Sequence, residues 1–289
     1  MAGKLILTAT PIGNLGDMSP RAVETLAGAD LIAAEDTRNT IKLLNHFGIR
    51  TPLTSYHEFN KIDKAYELID LMKEGKNVAL VTDAGMPAIS DPGEDIVRLC
   101  YEAGITAEIV PGPCAAVSAL ALSGLGTRRF VFEGFLPQDK KEQESVLEDL
   151  RRETRTIILY EAPHRLKKTA QILTGVLGKD RKVSLVRELT KIHEEVLHMT
   201  LEQIEDIEPR GEYVLVIEGA DPSGWTRKDA EDWLKMPAAE HVAMYEKSGM
   251  SRKDAMKQAA ADRGVTRREI YRECLNAFGK DENECDEDR

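Results

Sequence analysis

V-A-L-V-T-D-A-G-M-P-A-I-S-D-P-G, from Val78 to Gly93, joins a short apolar run to a loop rich in Gly, Pro and Asp. A continuous apolar, β-branched run is typical of a parallel strand that is buried on both faces. In open parallel sheets, ligands bind beyond the carboxyl ends of the strands, which is where this loop lies. The stretch therefore predicts a parallel α/β sheet with a ligand site beyond its carboxyl edge.

The same arrangement of an apolar run followed by a polar or Gly/Pro-rich loop recurs along the chain. One such loop is usually only a tight turn, because Gly and Pro favour turns. Several in register, with charged residues beside the Gly and Pro, instead favour a ligand cleft. The loops are T-P-I-G-N-L-G-D after Ala9, P-G-P-C-A-A after Val110, E-A-P-H-R after Tyr160 and R-E-L-T-K after Val186.

The alternation of strands and helices predicts two α/β domains with a cleft between them. The first is expected over residues 1–137, with Phe130 to Pro137 as its last strand and exit turn. A highly charged segment, Gln138 to Arg155, opens the second domain, which is expected over residues 138–220 and is richer in strands.

A helical segment is predicted over residues 225–278, followed by an acidic tail over 279–289. Two of its helices, Arg252 to Asp262 and Arg267 to Ala277, have the size of a helix-turn-helix pair. Capping-box patterns support the helix starts. These patterns pair Thr226 with Asp229, Ser251 with Asp254, and Thr266 with Glu269.

Composition limits the class of protein. The 289 residues carry 31% charged side chains and a net charge of −11, which fits a folded, soluble protein. The four cysteines form no C-x-x-C pair, and the histidines form no H-x-x-x-H pair, so we expect neither a disulfide framework nor a metal site. No apolar stretch approaches the roughly 20 residues of a membrane span. We therefore expect a cytoplasmic protein without a membrane partner.

Seven ordered motifs resemble those of the ribosomal RNA small subunit methyltransferase I family, the 16S rRNA (cytidine-2′-O)-methyltransferases of the tetrapyrrole-methylase superfamily. The resemblance runs from Lys4 to about Ala277. The motifs are T-P-I-G-N-L-G-D, A-A-E-D-T-R, D-A-G-M-P-A-I-S-D-P-G, P-G-P-C-A-A, F-E-G-F-L-P, Y-E-A-P-H-R and R-E-L-T-K.

The resemblance implies S-adenosylmethionine as methyl donor, bound in a cleft between two α/β domains of tetrapyrrole-methylase type. It also implies a homodimer, and as substrate a cytidine ribose in the decoding region of small-subunit ribosomal RNA, naked or in the assembled small subunit. The residues that it implies for the donor are Pro11, Asp83, Ala84, Gly85, Met86, Pro87, Cys114, Ala115, Tyr160, Leu189 and Tyr213.

Transfer to a ribose hydroxyl calls for a base, because an unassisted hydroxyl is a poor nucleophile. The candidate bases are Lys191, Glu188 and Asp36, and Glu161 is a further acidic residue at the predicted cleft. For Asp36 and Arg38, a salt bridge at a strand end is an equally good interpretation. The candidate RNA contacts are Arg38, Arg165, Arg187, Arg263, Arg267, Arg268 and Arg272.

Two other functions compete with this one. A methylase of a small tetrapyrrole would share the donor site but would have no use for a basic helix pair. The departure of T-P-I-G-N from the G-x-G-P-G loop of tetrapyrrole methylases argues against it. A non-catalytic RNA-binding protein would bind RNA without transferring a methyl group. For the C-terminal arginines, a solvated helix face or a dimer contact is the alternative to RNA.

Overall fold

The structure, a computed structural model, describes residues 2–221, 236–247 and 250–278. The chain divides into two compact units, Met1–Ala220 and Asp221–Arg289. None of the helices in the described ranges is both long enough and apolar enough to cross a membrane.

The first half of the larger unit holds a five-stranded parallel sheet in the order β3-β2-β4-β1-β5. Its strands are β1 (Lys4–Thr8), β2 (Leu31–Ala34), β3 (Leu53–Ser55), β4 (Val78–Val81) and β5 (Thr106–Val110). Its helices are α1 (Pro20–Gly28), α2 (Thr37–His46), α3 (Lys61–Lys73) and α4 (Gly93–Glu102). The parallel sheet confirms the predicted fold class.

Apolar clusters cover both faces of this sheet. Helices α3 and α4 contribute Leu68, Met72 and Ile96 to the cluster on one face, while α1 and α2 contribute Leu26 and Leu44 to the other. All four residues of β4 are buried, as its sequence predicts. The three-residue strand β3 was not predicted, because three residues are too few to show a period.

The second half of this unit holds a mixed sheet in the order β6-β7-β10-β8-β9. Only the β6–β7 pair is parallel, and the other pairs are antiparallel. Its strands are β6 (Phe130–Phe135), β7 (Thr156–Glu161), β8 (Lys182–Arg187), β9 (Glu195–Thr200) and β10 (Tyr213–Ile217). Its helices are α5 (Ala115–Leu122), α6 (Lys140–Arg151) and α7 (Leu166–Leu177). Of two short 3₁₀ helices, Leu15–Asp17 follows β1 in the first half and Glu202–Asp206 follows β9 in the second.

The predicted domain boundary at residue 137 does not coincide with the division between the two sheets. Phe130 to Phe135 was expected to end the first sheet, but as β6 it pairs with β7 in the second. Helix α5 already belongs with the second sheet, since Ala119 and Leu120 pack in one cluster with Ile158 and Val216. The chain therefore crosses to the second half directly after β5.

The smaller unit contains the helices α8 (Ala238–Lys247), α9 (Arg252–Arg263) and α10 (Arg267–Phe278). Ser251 caps α9 and accepts a hydrogen bond from the Asp254 N–H, and the Thr266–Glu269 pair forms the predicted box at the start of α10. Gly264 ends α9 in the left-handed conformation, with φ +64°. The predicted Thr226–Asp229 box, the start of the 225–278 segment and the 279–289 tail lie outside the described residues.

Candidate active site

A cavity of about 310 Å³ lies where loops of the two sheets meet within the larger unit. The first sheet contributes the loops after β1, β2 and β4 and the segment that leads from β5 into α5. The second contributes the ends of β6, β7 and β8 and the start of β10. The cleft expected at the carboxyl edge of the first sheet is therefore present.

Most of the residues that the resemblance implied for a donor line this cavity. Pro11 and Pro87 do not line it, although each adjoins a residue that does. Among the candidate bases, Glu188 and Lys191 line it and Asp36 does not. The implied donor residues at the cavity are Asp83, Ala84, Gly85, Met86, Cys114, Ala115, Tyr160, Leu189 and Tyr213.

Gly85 fixes the loop after β4 against the loop after β1. Its N–H donates to the Thr10 carbonyl at 3.1 Å, and its own carbonyl accepts from the Thr10 N–H at 2.9 Å. Its φ of +87° strains any residue with a side chain, and a Cβ there would lie 3.2 Å from Cγ2 of Ile12. Glycine lets these two cavity-lining loops approach closely.

Two tyrosines, the half-buried Tyr160 and the buried Tyr213, form part of the wall. The Tyr160 hydroxyl accepts a hydrogen bond from the Ala116 N–H at 3.0 Å, and burial raises the pKa of Tyr160 to about 12. The Tyr213 hydroxyl accepts from the Arg210 N–H at 2.8 Å. These bonds fix both rings, so the wall has a defined shape.

Acidic side chains dominate the charged part of the lining, and Lys191 is the one cation among the described residues that line the cavity. The carboxylates are Glu35, Asp83, Asp91, Glu161, Glu188 and Glu212. Such a lining suits a ligand that carries positive charge, because opposite charges at short range favour binding. Glu35, Asp91 and Glu212 were not among the predicted site residues, although Glu35 and Asp91 lie in two of the motifs and Glu212 directly precedes Tyr213.

Asp91 holds the end of the loop after β4. Its Oδ1 accepts from the Ala88 N–H at 3.0 Å and from the Gly93 N–H at 2.6 Å, and burial raises the pKa of its carboxyl. Ala88 and Ser90 in this loop both have positive φ, at 66° and 63°. The side chain of Asp91 thus maintains a strained backbone at the cavity.

Glu188 and Lys191 form an ion pair at the cavity, with Nζ of Lys191 3.0 Å from Oε1 of Glu188. This contact lowers the pKa of the Glu188 carboxyl. Oε2 of Glu212 lies 4.0 Å from the same Nζ. Glu188 itself has a φ of +51°, and a Cβ at Gly211 would lie 2.2 Å from its Oε1, so a close backbone approach confines the carboxylate.

Asp36 is a helix cap rather than a lining residue. Its Oδ1 accepts from the Arg38 N–H at 2.8 Å at the start of α2, and its Oδ2 pairs with Nη2 of Arg38 at 2.7 Å. These contacts lower the pKa of Asp36 to about 2 and occupy both of its carboxylate oxygens. The geometry favours the salt-bridge interpretation over the catalytic one.

The candidate RNA-binding arginines separate into three that are partly buried and bonded within the protein, and four that are exposed. The side chain of Arg263 is only 7% exposed and donates from Nε to Nδ1 of His241 at 3.1 Å, so its geometry favours a role in stabilising the smaller unit over the predicted RNA contact. Arg165 donates to the Leu136 carbonyl at 2.8 Å, and Arg187 pairs with Glu195. The exposed candidates are Arg38, Arg267, Arg268 and Arg272.

No group of three or more His, Cys, Asp or Glu side chains suited to a metal ion occurs in the part of the chain that the structure describes.

Residues 4–205 match the family of tetrapyrrole (corrin/porphyrin) methylases. A curated ribosomal RNA small subunit methyltransferase I from Synechocystis is 47% identical over 276 residues, which cover 93% of this chain and 96% of that protein. A Thermotoga maritima protein of the same name is 46% identical over 221 residues, which cover 75% of this chain but 99% of its own length. That relative therefore matches a length close to that of the larger unit alone.

Two solved structures share the fold at low sequence identity. A diphthine synthase superposes with a TM-score of 0.62 at 16% identity, covering 75% of this chain and 90% of that one. A uroporphyrin-III C-methyltransferase from Thermus thermophilus, solved with S-adenyl homocysteine, superposes with a TM-score of 0.54 at 19% identity, covering 75% and 97%.

Proposed function

Since the chain belongs to the ribosomal RNA small subunit methyltransferase I family within the tetrapyrrole methylases, we propose that it transfers a methyl group from S-adenosylmethionine to the 2′-oxygen of a cytidine in the decoding region of 16S ribosomal RNA. The observation that carries the proposal is the cavity where the motif loops of both sheets meet around the Glu188–Lys191 pair.

The lining of the cavity suits the charge of the donor. S-adenosylmethionine supplies a methyl group on a sulfonium cation, and the lining presents several carboxylates to such a charge. Gly85 and the segment Cys114–Ala115 would hold the donor from the first sheet, and Tyr160, Leu189 and Tyr213 from the second. Pro11 and Pro87 would act through their lining neighbours Ile12 and Met86, because they are not part of the lining themselves.

Glu188 and Lys191 are proposed to handle the proton of the ribose hydroxyl. Nζ of Lys191 lies 3.0 Å from Glu188 and 4.0 Å from Glu212, and its ammonium would stabilise negative charge that develops on the ribose oxygen. The Glu188 carboxylate would accept the proton, and its confinement by Gly211 keeps it in place. A positioned base of this kind contributes roughly 10²–10⁴-fold to the rate.

The smaller unit is proposed to contact the ribosomal RNA outside the cavity. Arg267, Arg268 and Arg272 are exposed on α10, and Arg252, Lys253 and Lys257 are exposed on α9. Basic side chains of this kind let a protein of net charge −11 bind a polyanion. The Thermotoga relative matches without this length of chain, so the smaller unit would add affinity to a reaction that the larger unit carries out.

We further propose that the protein acts as a homodimer in the cytoplasm. Edge strand β5 leaves four of its five residues exposed, and α5, the next helix along the chain, exposes Val117 and Leu122. An exposed strand edge and exposed apolar side chains are ready sites for a second chain.

The deciding experiment supplies the purified protein with methyl-labelled donor and small subunits from cells that lack this enzyme. We expect label in 16S RNA, and nuclease digestion with mass spectrometry should find one 2′-O-methylcytidine in the decoding region. Protein-free 16S RNA, assayed in parallel, identifies the form of the substrate. Label on a base, label on a porphyrinoid alone, or binding without transfer would each overturn the proposal.

A further inference from the structure

We propose that Phe59 is a stacking platform for a nucleobase of the RNA, on a nucleotide that flanks the one whose ribose is methylated. The inference rests on the proposed function and extends it to a residue outside the cavity. Phe59 lies between β3 and α3, in the loop at the carboxyl end of an edge strand.

The ring of Phe59 is 97% exposed, and the loop that carries it is firmly held. Tyr56 is buried, and its hydroxyl donates to the Pro92 carbonyl at 2.9 Å. Oδ1 of Asn60 accepts from the His57 N–H at 2.8 Å. The loop therefore presents an aromatic ring to solvent from a fixed backbone, which lowers the entropy lost when a flat ligand stacks on it.

Ion pairs secure the far end of the same loop. Nζ of Lys61, the first residue of α3, lies 2.8 Å from Oε1 of Glu58 and 2.9 Å from Oδ2 of Asp95. Asp95 belongs to the first turn of α4, directly after the loop that lines the cavity. The segment with Phe59 is thus attached to the end of the cavity-lining loop at Pro92 and to the first turn of α4 at Asp95.

The order of the strands places the loop with Phe59 next to the loop after β2, which contributes to the cavity lining. β3 pairs with β2, and the Tyr56 N–H donates to the Ala34 carbonyl at 2.8 Å, so the loops after these two strands begin side by side. The loop after β2 supplies Glu35 to the cavity lining and then Arg38, whose side chain is 87% exposed. Arg38 and Phe59 therefore both lie at the carboxyl edge, on neighbouring strands about 5 Å apart, although α2 and α3 cover opposite faces of the sheet.

A nucleobase fits this arrangement better than a protein partner does. The neighbours of Phe59 in the loop are the polar residues His57, Glu58 and Asn60, and the Phe59 ring meets the His57 ring edge-on, with centroids 6.1 Å apart. A single exposed ring offers little area to a protein, but it stacks a whole base, and loss of such stacking weakens binding by roughly 5- to 150-fold. RNA whose target ribose is at the cavity would extend along the carboxyl edge of the sheet to reach the ring.

The test compares Phe59→Ala with Tyr101→Ala in the methyl-transfer assay on small subunits. Tyr101 is 86% exposed and lies at the end of α4, so it is an exposed aromatic residue at the opposite, amino edge of the same sheet. We expect Phe59→Ala to raise the KM for small subunits roughly tenfold, with kcat and the donor Kd unchanged. Tyr101→Ala should match the wild type, and Phe59→Trp should restore the KM whereas Phe59→Leu should not.

Three results would overturn the inference. An unchanged KM in Phe59→Ala excludes the contact, and full activity in Phe59→Leu shows that apolar contact suffices without stacking. A photocrosslinker in place of Phe59 that labels a ribosomal protein or a second copy, instead of 16S RNA, identifies a different partner. If the wild type transfers no methyl group at all, the proposed function fails first, so the two failures are distinguishable.

Discussion

The hydroxyl of Tyr160, on a central strand of the second sheet, accepts a hydrogen bond from the main-chain N–H of Ala116 in the first turn of α5. The N–H groups of a first helical turn have no partner within the helix, so this bond satisfies one of them. It also fixes the segment Cys114–Ala115, which lines the cavity.

Tyr160→Phe removes only this bond and should therefore loosen the start of α5. We expect the free energy of unfolding to fall by about 1 kcal/mol, and the donor Kd to rise several-fold. Urea unfolding and calorimetric titration measure the two effects. Tyr101→Phe, at an exposed position, should change stability by less than about 0.5 kcal/mol, and equal effects in the two variants would contradict the assignment.

Glu188→Gln should lower kcat by roughly 10²-fold or more while leaving the donor Kd near its normal value. Glutamine keeps the size of the side chain at this positive φ, so the loop should remain folded. The measurement is single-turnover methyl transfer, with RNA binding assayed separately. Near-normal turnover would show that another group accepts the proton.

Lys191→Met should move the acidic limb of the pH–rate profile to higher pH. The Lys191 contact lowers the pKa of Glu188, so its loss lets this carboxylate take up a proton at a higher pH. Rates measured across the acidic range give the shift directly. An acidic limb that stays in place would mean that Glu188 is not the group that limits the rate.

Asp36→Asn should remove a pH-dependent contribution to stability. The pKa of Asp36 is lowered to about 2 by Arg38, so its ion pair stabilises the fold above the ordinary Asp range near pH 4 and is lost as the pH falls towards 2. We expect the wild type to exceed the variant in unfolding free energy at pH 7, with a difference that narrows below pH 4. Urea titrations at several pH values test this, and kcat should stay near the wild-type value.

Arg268→Ala combined with Arg272→Ala should weaken binding to small subunits and reduce the salt dependence of that binding. Each phosphate contact that is lost lowers the slope of log K against log salt by about 1. Donor affinity should not change. Arg263→Ala is the contrasting variant, because loss of this buried side chain should lower the stability of the smaller unit.

Val117→Asp should convert a dimer into monomers. Val117 is 54% exposed on α5, so a charge there is compatible with the monomer fold but not with an apolar interface. Sedimentation of the wild type and the variant gives the oligomeric state. If the wild type is a monomer, or if the variant remains dimeric, the exposed face of α5 is not a dimer interface.

The sequence was most informative where the chemistry of a residue depends on its near neighbours. The buried strand β4, the caps Ser251 and Thr266 and the loop with Gly85 follow from local patterns, and all three are present. The assignment of strands to the two sheets of the larger unit is harder to predict from local patterns. The pattern F-V-F-E-G-F is compatible with a strand in either sheet, and only the long-range pairing with β7 assigns it to the second.

The roles of individual charges were the hardest to predict. Arg263 belongs by sequence to a basic cluster, but packing of α9 against α8 turns it towards His241. Asp36 and Glu35 are adjacent after β2, yet only Glu35 lines the cavity. Which of two neighbouring carboxylates faces a site depends on the residue at which the next helix starts. No rule of residue spacing predicts the start of a helix to within one residue.

The order of the strands also determines when the protein becomes able to bind its donor during synthesis. β10 is the last strand of the larger unit to be made, yet it lies between β7 and β8 at the centre of the second sheet. Until Tyr213 to Ile217 leave the translating ribosome, β7 and β8 have no strand to join them, and one wall of the cavity is missing. A nascent chain that ends before β10 therefore lacks the complete cavity.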